Sequence, residues 1–156
     1  PVETKKYFYE DQNHCIWGCT GDIGYVDEDG YLFVEGRAND SFYSEDGKRI
    51  YLFDIERIVL EDEMVAQCKA VAVQINGKFK PILHVVLQKN GVTDAKTVIP
   101  RIYKKLSEQL PQNAVPVAYK LRQALPVHPN GKRNVEALKA ENDGFVDLMG
   151  NGWRVR

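Results

Sequence analysis

Two short β-prone runs, Ile23–Val26 and Tyr31–Val34, flank the segment Asp27-Glu28-Asp29-Gly30. Its acidic residues and terminal glycine have turn chemistry, so the pattern predicts a β-hairpin. From Leu52 to Glu63 the apolar positions Leu52, Phe53, Ile55, Ile58, Val59 and Leu60 are interleaved with Asp54, Glu56, Arg57 and Glu61. That spacing predicts an amphipathic helix. Between Ala66 and Ile75, Cys68, Ala70, Ala72 and Gln74 alternate with Lys69, Val71, Val73 and Ile75. A strand follows from this, with Val71, Val73 and Ile75 on one face. Asn76-Gly77 is a two-residue turn signal, and Pro81–Leu87 reads as the returning strand of an antiparallel pair.

Thr93-Asp94 opens a second helical stretch that reaches about Leu110, with Val98, Ile99, Ile102, Leu106 and Leu110 at helical spacing. Pro100 lies inside it and either kinks the helix or marks a later start. Val117–Leu125 can form another strand and Val135–Lys139 a short final helix, while Gly144, Gly150 and Gly152 predict an irregular tail over 141–156. The fold class is therefore α+β: a small, largely antiparallel sheet with helices on one side, preceded by the hairpin. His84 falls inside a strand with no acid or nucleophile near it in sequence, and reads as a packing or edge residue.

Composition adds exclusions. The 156 residues suffice for one well-packed core, since a chain of this size buries roughly 70% of its unfolded surface. With 21 basic against 22 acidic residues the formal net charge is −1, so no overall field favours nucleic acid. No apolar run approaches the ~20 residues of a membrane span. Three cysteines, Cys15, Cys19 and Cys68, suit a reducing compartment, and the cytoplasm is the expected location. His14, Cys15 and Cys19 lack a second ligand pair at zinc-site spacing, so no metal site is assigned.

Four segments put charged residues beside glycines, where a backbone can approach a ligand closely. They are Trp17-Gly18-Cys19-Thr20-Gly21-Asp22, Gly36-Arg37-Ala38-Asn39-Asp40, Asp46-Gly47-Lys48-Arg49-Ile50 and Leu125-Pro126-Val127-His128-Pro129-Asn130-Gly131-Lys132. Singly each is an ordinary surface turn. In this order, with the third leading into Asp54-Ile55-Glu56, they resemble the acyl-adenylate-forming superfamily of CoA synthetases, luciferases and non-ribosomal adenylation domains. The likeness runs from Trp17 to Leu138.

The resemblance implies roles. Asp22 corresponds to the aspartate that accepts hydrogen bonds from both ribose hydroxyls of the nucleotide, and Arg37 to the arginine near ribose and phosphates. Asn39 falls at the family's hinge, usually Asp or Lys, so either Asn39 or Asp40 is the expected pivot. Gly47 corresponds to the glycine lining the pantetheine tunnel, which puts Lys48 and Arg49 near the phosphates of coenzyme A. Lys132 corresponds to the catalytic lysine, whose ammonium offsets the repulsion between substrate carboxylate and α-phosphate.

On the same grounds, residues 1–38 are expected to end a large adenylate-forming domain, and 39–140 to form the mobile C-terminal domain. The whole enzyme would be an AMP-forming acid–thiol ligase using ATP, coenzyme A and Mg²⁺, the metal's ligands lying outside this chain. Its partners would be a carboxylic acid substrate and the missing large domain, and the isolated chain should be inactive. The alternatives are an enzyme that loads a carrier-protein phosphopantetheine, and a non-catalytic module of the same fold that binds nucleotides or proteins.

Overall fold

A computed structural model describes residues 7–88, 95–141 and 144–145. The chain divides into two compact units, Pro1–Asn39 and Asp40–Arg156.

The first unit is two antiparallel hairpins. β1 (Phe8–Glu10) pairs with β2 (Ile16–Gly18), which the sequence reading had not predicted. Its turn is organised by Asp11, whose carboxylate accepts from the Asn13 and Cys15 N–H groups at 2.8 and 2.9 Å and from the Trp17 indole at 2.9 Å. β3 (Asp22–Val26) pairs with β4 (Leu32–Arg37) as predicted, around a loop in which Asp27 Oδ1 accepts from the N–H groups of Asp29 and Tyr31. The ladder shifts register between Ile23 and Gly24. A Cβ on Gly24 would sit 2.2 Å from the Phe33 carbonyl oxygen, so only glycine fits that bulge. None of the described residues here is buried.

The second unit has a packed core. β5 (Ser41–Tyr43) and β6 (Arg49–Tyr51) form a hairpin where the sequence suggested only a loop. α1 (Leu52–Leu60) follows, burying Leu52, Ile55, Ile58 and Val59 and leaving Phe53 and Leu60 in solvent. It stops a turn before the predicted Glu63. The Asp62 carboxylate accepts from the Met64 N–H at 3.0 Å and from the Arg101 guanidinium at 2.7 and 2.8 Å, which diverts the backbone into a turn.

β7 (Val65–Ile75) and β8 (Lys78–Leu87) are antiparallel, joined through Asn76 (φ 52°) and Gly77 (φ 79°), the paired positive angles that the dipeptide favours. α2 (Ala95–Gln109) runs through Pro100 without a break. The predicted helix start at Thr93-Asp94 lies outside the described residues, as do Gly150 and Gly152. β9 (Ala118–Arg122) pairs with β8 in parallel, the crossover that α2 makes possible. α3 (Val135–Lys139) is capped by the Asn134 side chain, which accepts from the Ala137 N–H at 3.0 Å.

Both faces of the β7–β8–β9 sheet are covered. Cys68, Ala70, Leu83, Val85 and Tyr119 pack with Ile55, Ile58, Ile99, Ile102 and Leu106 of α1 and α2. On the other face Val71, Val73, Ile82, Val86 and Ala118 pack with Leu125 and Leu138, so α3 lies opposite the other helices. The expectation of helices on one side is corrected here. Both alternating sets of β7 are apolar enough to need cover, and a five-residue helix supplies the second layer. His84 is fully buried on that second face, accepting at Nδ1 from the Arg122 guanidinium at 3.0 Å. Burial, with Arg122 beside it, lowers its pKa to about 4.

Candidate functional site

Asp22 and Arg37 are cross-strand partners at the open end of the β3–β4 hairpin. Arg37 Nε donates to Asp22 Oδ1 at 2.9 Å, and its Nη2 to the Thr20 carbonyl at 3.3 Å. The guanidinium, helped by Thr20, holds the Asp22 carboxyl below the usual carboxylate range. Both side chains remain largely exposed, so the pair is an oriented, ionised acceptor with a cation beside it. Such a group can bind a vicinal diol near an anion.

Ala38, Asn39 and Asp40 form a 3₁₀ turn that spans the boundary between the units. Asn39 is exposed. Asp40 lies 3.7 Å from the Lys69 ammonium, which is 2.9 Å from Glu56 Oε1. Sequence reasoning missed Lys69. The available signal was a lone cation in the apolar alternation of β7, since a partly buried ammonium needs carboxylate partners.

Gly47 sits at φ +75° in the tip of the β5–β6 hairpin, where Ser44 N–H donates to Lys48 O and Gly47 N–H to Ser44 O. A Cβ there would meet nothing within 4 Å. Within this chain, then, the backbone angle calls for glycine and no steric contact does. Ser44 Oγ donates to Asp46, and the Asn113 amide donates to the same Asp46 oxygen at 3.0 Å, which anchors the tip. Lys48 lies 3.6 Å from Asp46. Arg49 donates to Ser41 Oγ at 3.0 Å and rests over the rings of Tyr43 and Tyr51 at 5.2 and 6.0 Å, a guanidinium held in a fixed plane.

Lys132 lies in a hairpin closed by the Val127–Arg133 bridge. Gly131 (φ +79°) makes the turn, and Asn130 Oδ1 accepts the Lys132 N–H at 3.1 Å. The lysine is exposed and makes no ion pair among the described residues. Its neighbour Arg133 ties the hairpin to the Gln67 side chain at 2.8 Å.

The two glycine turns attach to opposite ends of the sheet. Gln67 stands at the start of β7, whereas Glu45 of the Gly47 hairpin bridges Lys78 and Lys80, which pair with Ile75 and Val73 at the far end. Six to eight residues of strand separate these anchors, roughly 20–26 Å at about 3.3 Å per residue. No group of three His, Cys, Asp or Glu side chains among the described residues could hold a metal. Among the same residues no helix is long and apolar enough to cross a membrane.

No protein-family model matches the chain. It is similar to 4-hydroxybutyrate–CoA ligase 1 of Metallosphaera sedula, 30% identical over 80% of this chain and 22% of the relative. It also resembles 2-succinylbenzoate–CoA ligase of Bacillus pumilus, 29% identical over 92% of the chain and 29% of the relative. D-alanine–D-alanyl carrier protein ligase of Listeria welshimeri is 28% identical over 90% of the chain and 27% of its own length. The chain thus spans about a quarter of the length of the curated relatives it matches. Among solved structures, O-succinylbenzoate coenzyme A synthetase of Bacillus subtilis with bound AMP superposes with a TM-score of 0.68 and 27% identity, covering 88% of this chain and 26% of that one. An anthranilate CoA ligase bound to anthranoyl-AMP shares the fold, with a TM-score of 0.67 and 22% identity over 84% of this chain and 25% of that one.

Proposed function

The chain belongs to the acyl-adenylate-forming superfamily, and from that premise we propose that it is the C-terminal part of an ATP-dependent carboxylic acid:CoA ligase. Residues 1–38 close the large domain, and 39–140 form a lid that presents first one end of its sheet and then the other. In the adenylating orientation Lys132 neutralises charge between the substrate carboxylate and the α-phosphate, while Asp22 and Arg37 hold ribose and phosphate. In the second orientation the Gly47 turn replaces it, and Lys48 and Arg49 face the phosphates of coenzyme A. Mg²⁺ accompanies the ATP, with ligands supplied from outside this chain.

The observation that carries this reading is the attachment of the Gly47 and Lys132 turns at opposite ends of one short sheet. One face cannot place both turns at a single reacting centre, so two chemical steps call for two orientations. Exposed Lys132, with no ion pair among the described residues, is available to a substrate. Three free cysteines, two of them exposed, suit a reducing cytoplasm.

The test measures the half-reactions of the full-length enzyme separately. Lys132→Ala should slow adenylation at least about a hundredfold, the usual cost of one preorganised transition-state contact, and leave thioester formation from pre-made adenylate nearly unchanged. Gly47→Leu should show the reverse. Equal losses in both halves for Lys132→Ala would overturn the alternating-face reading. One relative is a carrier-protein ligase, but most of those described are CoA ligases, so free coenzyme A is the acceptor proposed and a protein-bound phosphopantetheine is the alternative. Faster transfer to a carrier protein than to free coenzyme A would establish it.

A further inference from the structure

We infer that Lys69 is a positioning residue that clasps Asp40, the residue after the hinge position, to the core of the second unit; the inference rests on the two-orientation reading above. Lys69 projects from β7 with its side chain only 13% exposed, and a nearly buried ammonium is tolerable only among carboxylates. It has two. Glu56 Oε1 of α1 is 2.9 Å away and also accepts the Ala70 N–H at 3.1 Å, so that glutamate is locked to the strand by two bonds. Asp40 Oδ2 is the other partner, at 3.7 Å. The first residue of the second unit is thereby clasped to a helix and a strand of that unit's own core.

The consequence is mechanical. A turn of the second unit carries the clasped Asp40 side chain with it, so the change in backbone angles falls ahead of the Asp40 Cα. Ala38 is held from the other side, its N–H donating to the Gly21 carbonyl at 2.8 Å within the first unit. Asn39 stands between these two anchors, exposed, and its side chain makes no hydrogen bond among the described residues. It is also a residue type that tolerates unusual backbone angles. Glu56, the last residue of the Asp54-Ile55-Glu56 segment, gains a role here: it holds the lysine that holds the connector.

The clasp can be read in the 156-residue chain by trypsin cleavage after Arg37, which needs the adjoining 3₁₀ turn to open. Asp40→Asn and Lys69→Met should each raise the initial rate of that cut about fivefold, while Lys69→Arg restores it and Asn39→Ala leaves it unchanged. Cleavage after Lys104 and Lys105 in α2 reports any general unfolding. Should Lys69→Met unfold the chain, Asp40→Asn still decides, because it spares the Lys69–Glu56 pair. An unchanged Arg37 cut in Asp40→Asn, or an equal acceleration in Asn39→Ala, would overturn the assignment. No ligase substrate is present in this assay, so its failure removes the clasp and leaves the two-orientation reading to be judged on the half-reactions.

Discussion

The described residues of the first unit and those of the second reach their order by different routes. In the first unit the described side chains are all at least partly exposed, Leu32 at 69%, Val34 at 65% and Tyr25 at 53%, and shape comes from two strand ladders and the aspartate-organised turns at Asp11 and Asp27. In the second unit Ile55, Leu83, Ile99 and Leu106 have no exposure, and a sheet is covered on both faces. The contrast separates two ways of holding the candidate site residues. Asp22 and Arg37 are aligned by cross-strand register, which needs no core. Lys132 and Gly47 ride on turns whose separation is fixed by a rigid sheet.

Urea denaturation of the chain can break this comparison most directly. Leu106→Ala should destabilise by about 3 kcal/mol, the cost of a cavity in a close-packed core. Leu32→Ser, on an exposed strand face, should stay within about 0.5 kcal/mol. Similar losses would mean that the first unit has a packing partner within the chain.

A smaller effect concerns pH and belongs to the second unit alone. His84 titrates near 4 when folded, against an ordinary value of 6.5, so between these pH values the unfolded chain binds the extra proton. Its contribution is fully present above about pH 6.5 and is lost as pH falls toward 4, by about 2 kcal/mol at pH 5. Comparison with His84→Gln isolates this loss from that of carboxylates such as Glu141. If both proteins lose stability equally between pH 7 and 5, His84 is not the buried neutral group described. The smallest effect expected is none: Arg37→Gln should leave the urea midpoint unchanged, because an exposed pair adds little to folding. A clear shift would show that the pair supports the hairpin.

Much of this was legible in the sequence where a local signal carries its own geometry. Asp27–Gly30 and Asn76-Gly77 announce turns because few residues accept their backbone angles, and α1 shows its stripe because Leu52, Ile55, Ile58 and Val59 recur at helical spacing. The three-residue strands β1, β2, β5 and β6 were missed, since so short a run has no period to detect. The ordered motifs brought Asp22, Arg37, Gly47 and Lys132 to attention as chemistry. They could not tell that Arg37 is bonded to Asp22, or that Arg49 lies over two tyrosine rings.

By itself, then, the sequence determined which segments turn, which alternate and which residues carry charge beside glycine, because those depend on neighbours a few positions apart. Only the tertiary structure decided the parallel pairing of β9 with β8, the placing of α3 on the second sheet face, and the meeting of Asp40, Lys69 and Glu56. Each of these joins residues far apart in the chain. Such contacts form only when burial of the whole core offsets the entropy of closing the loops between them, and no local pattern records that balance.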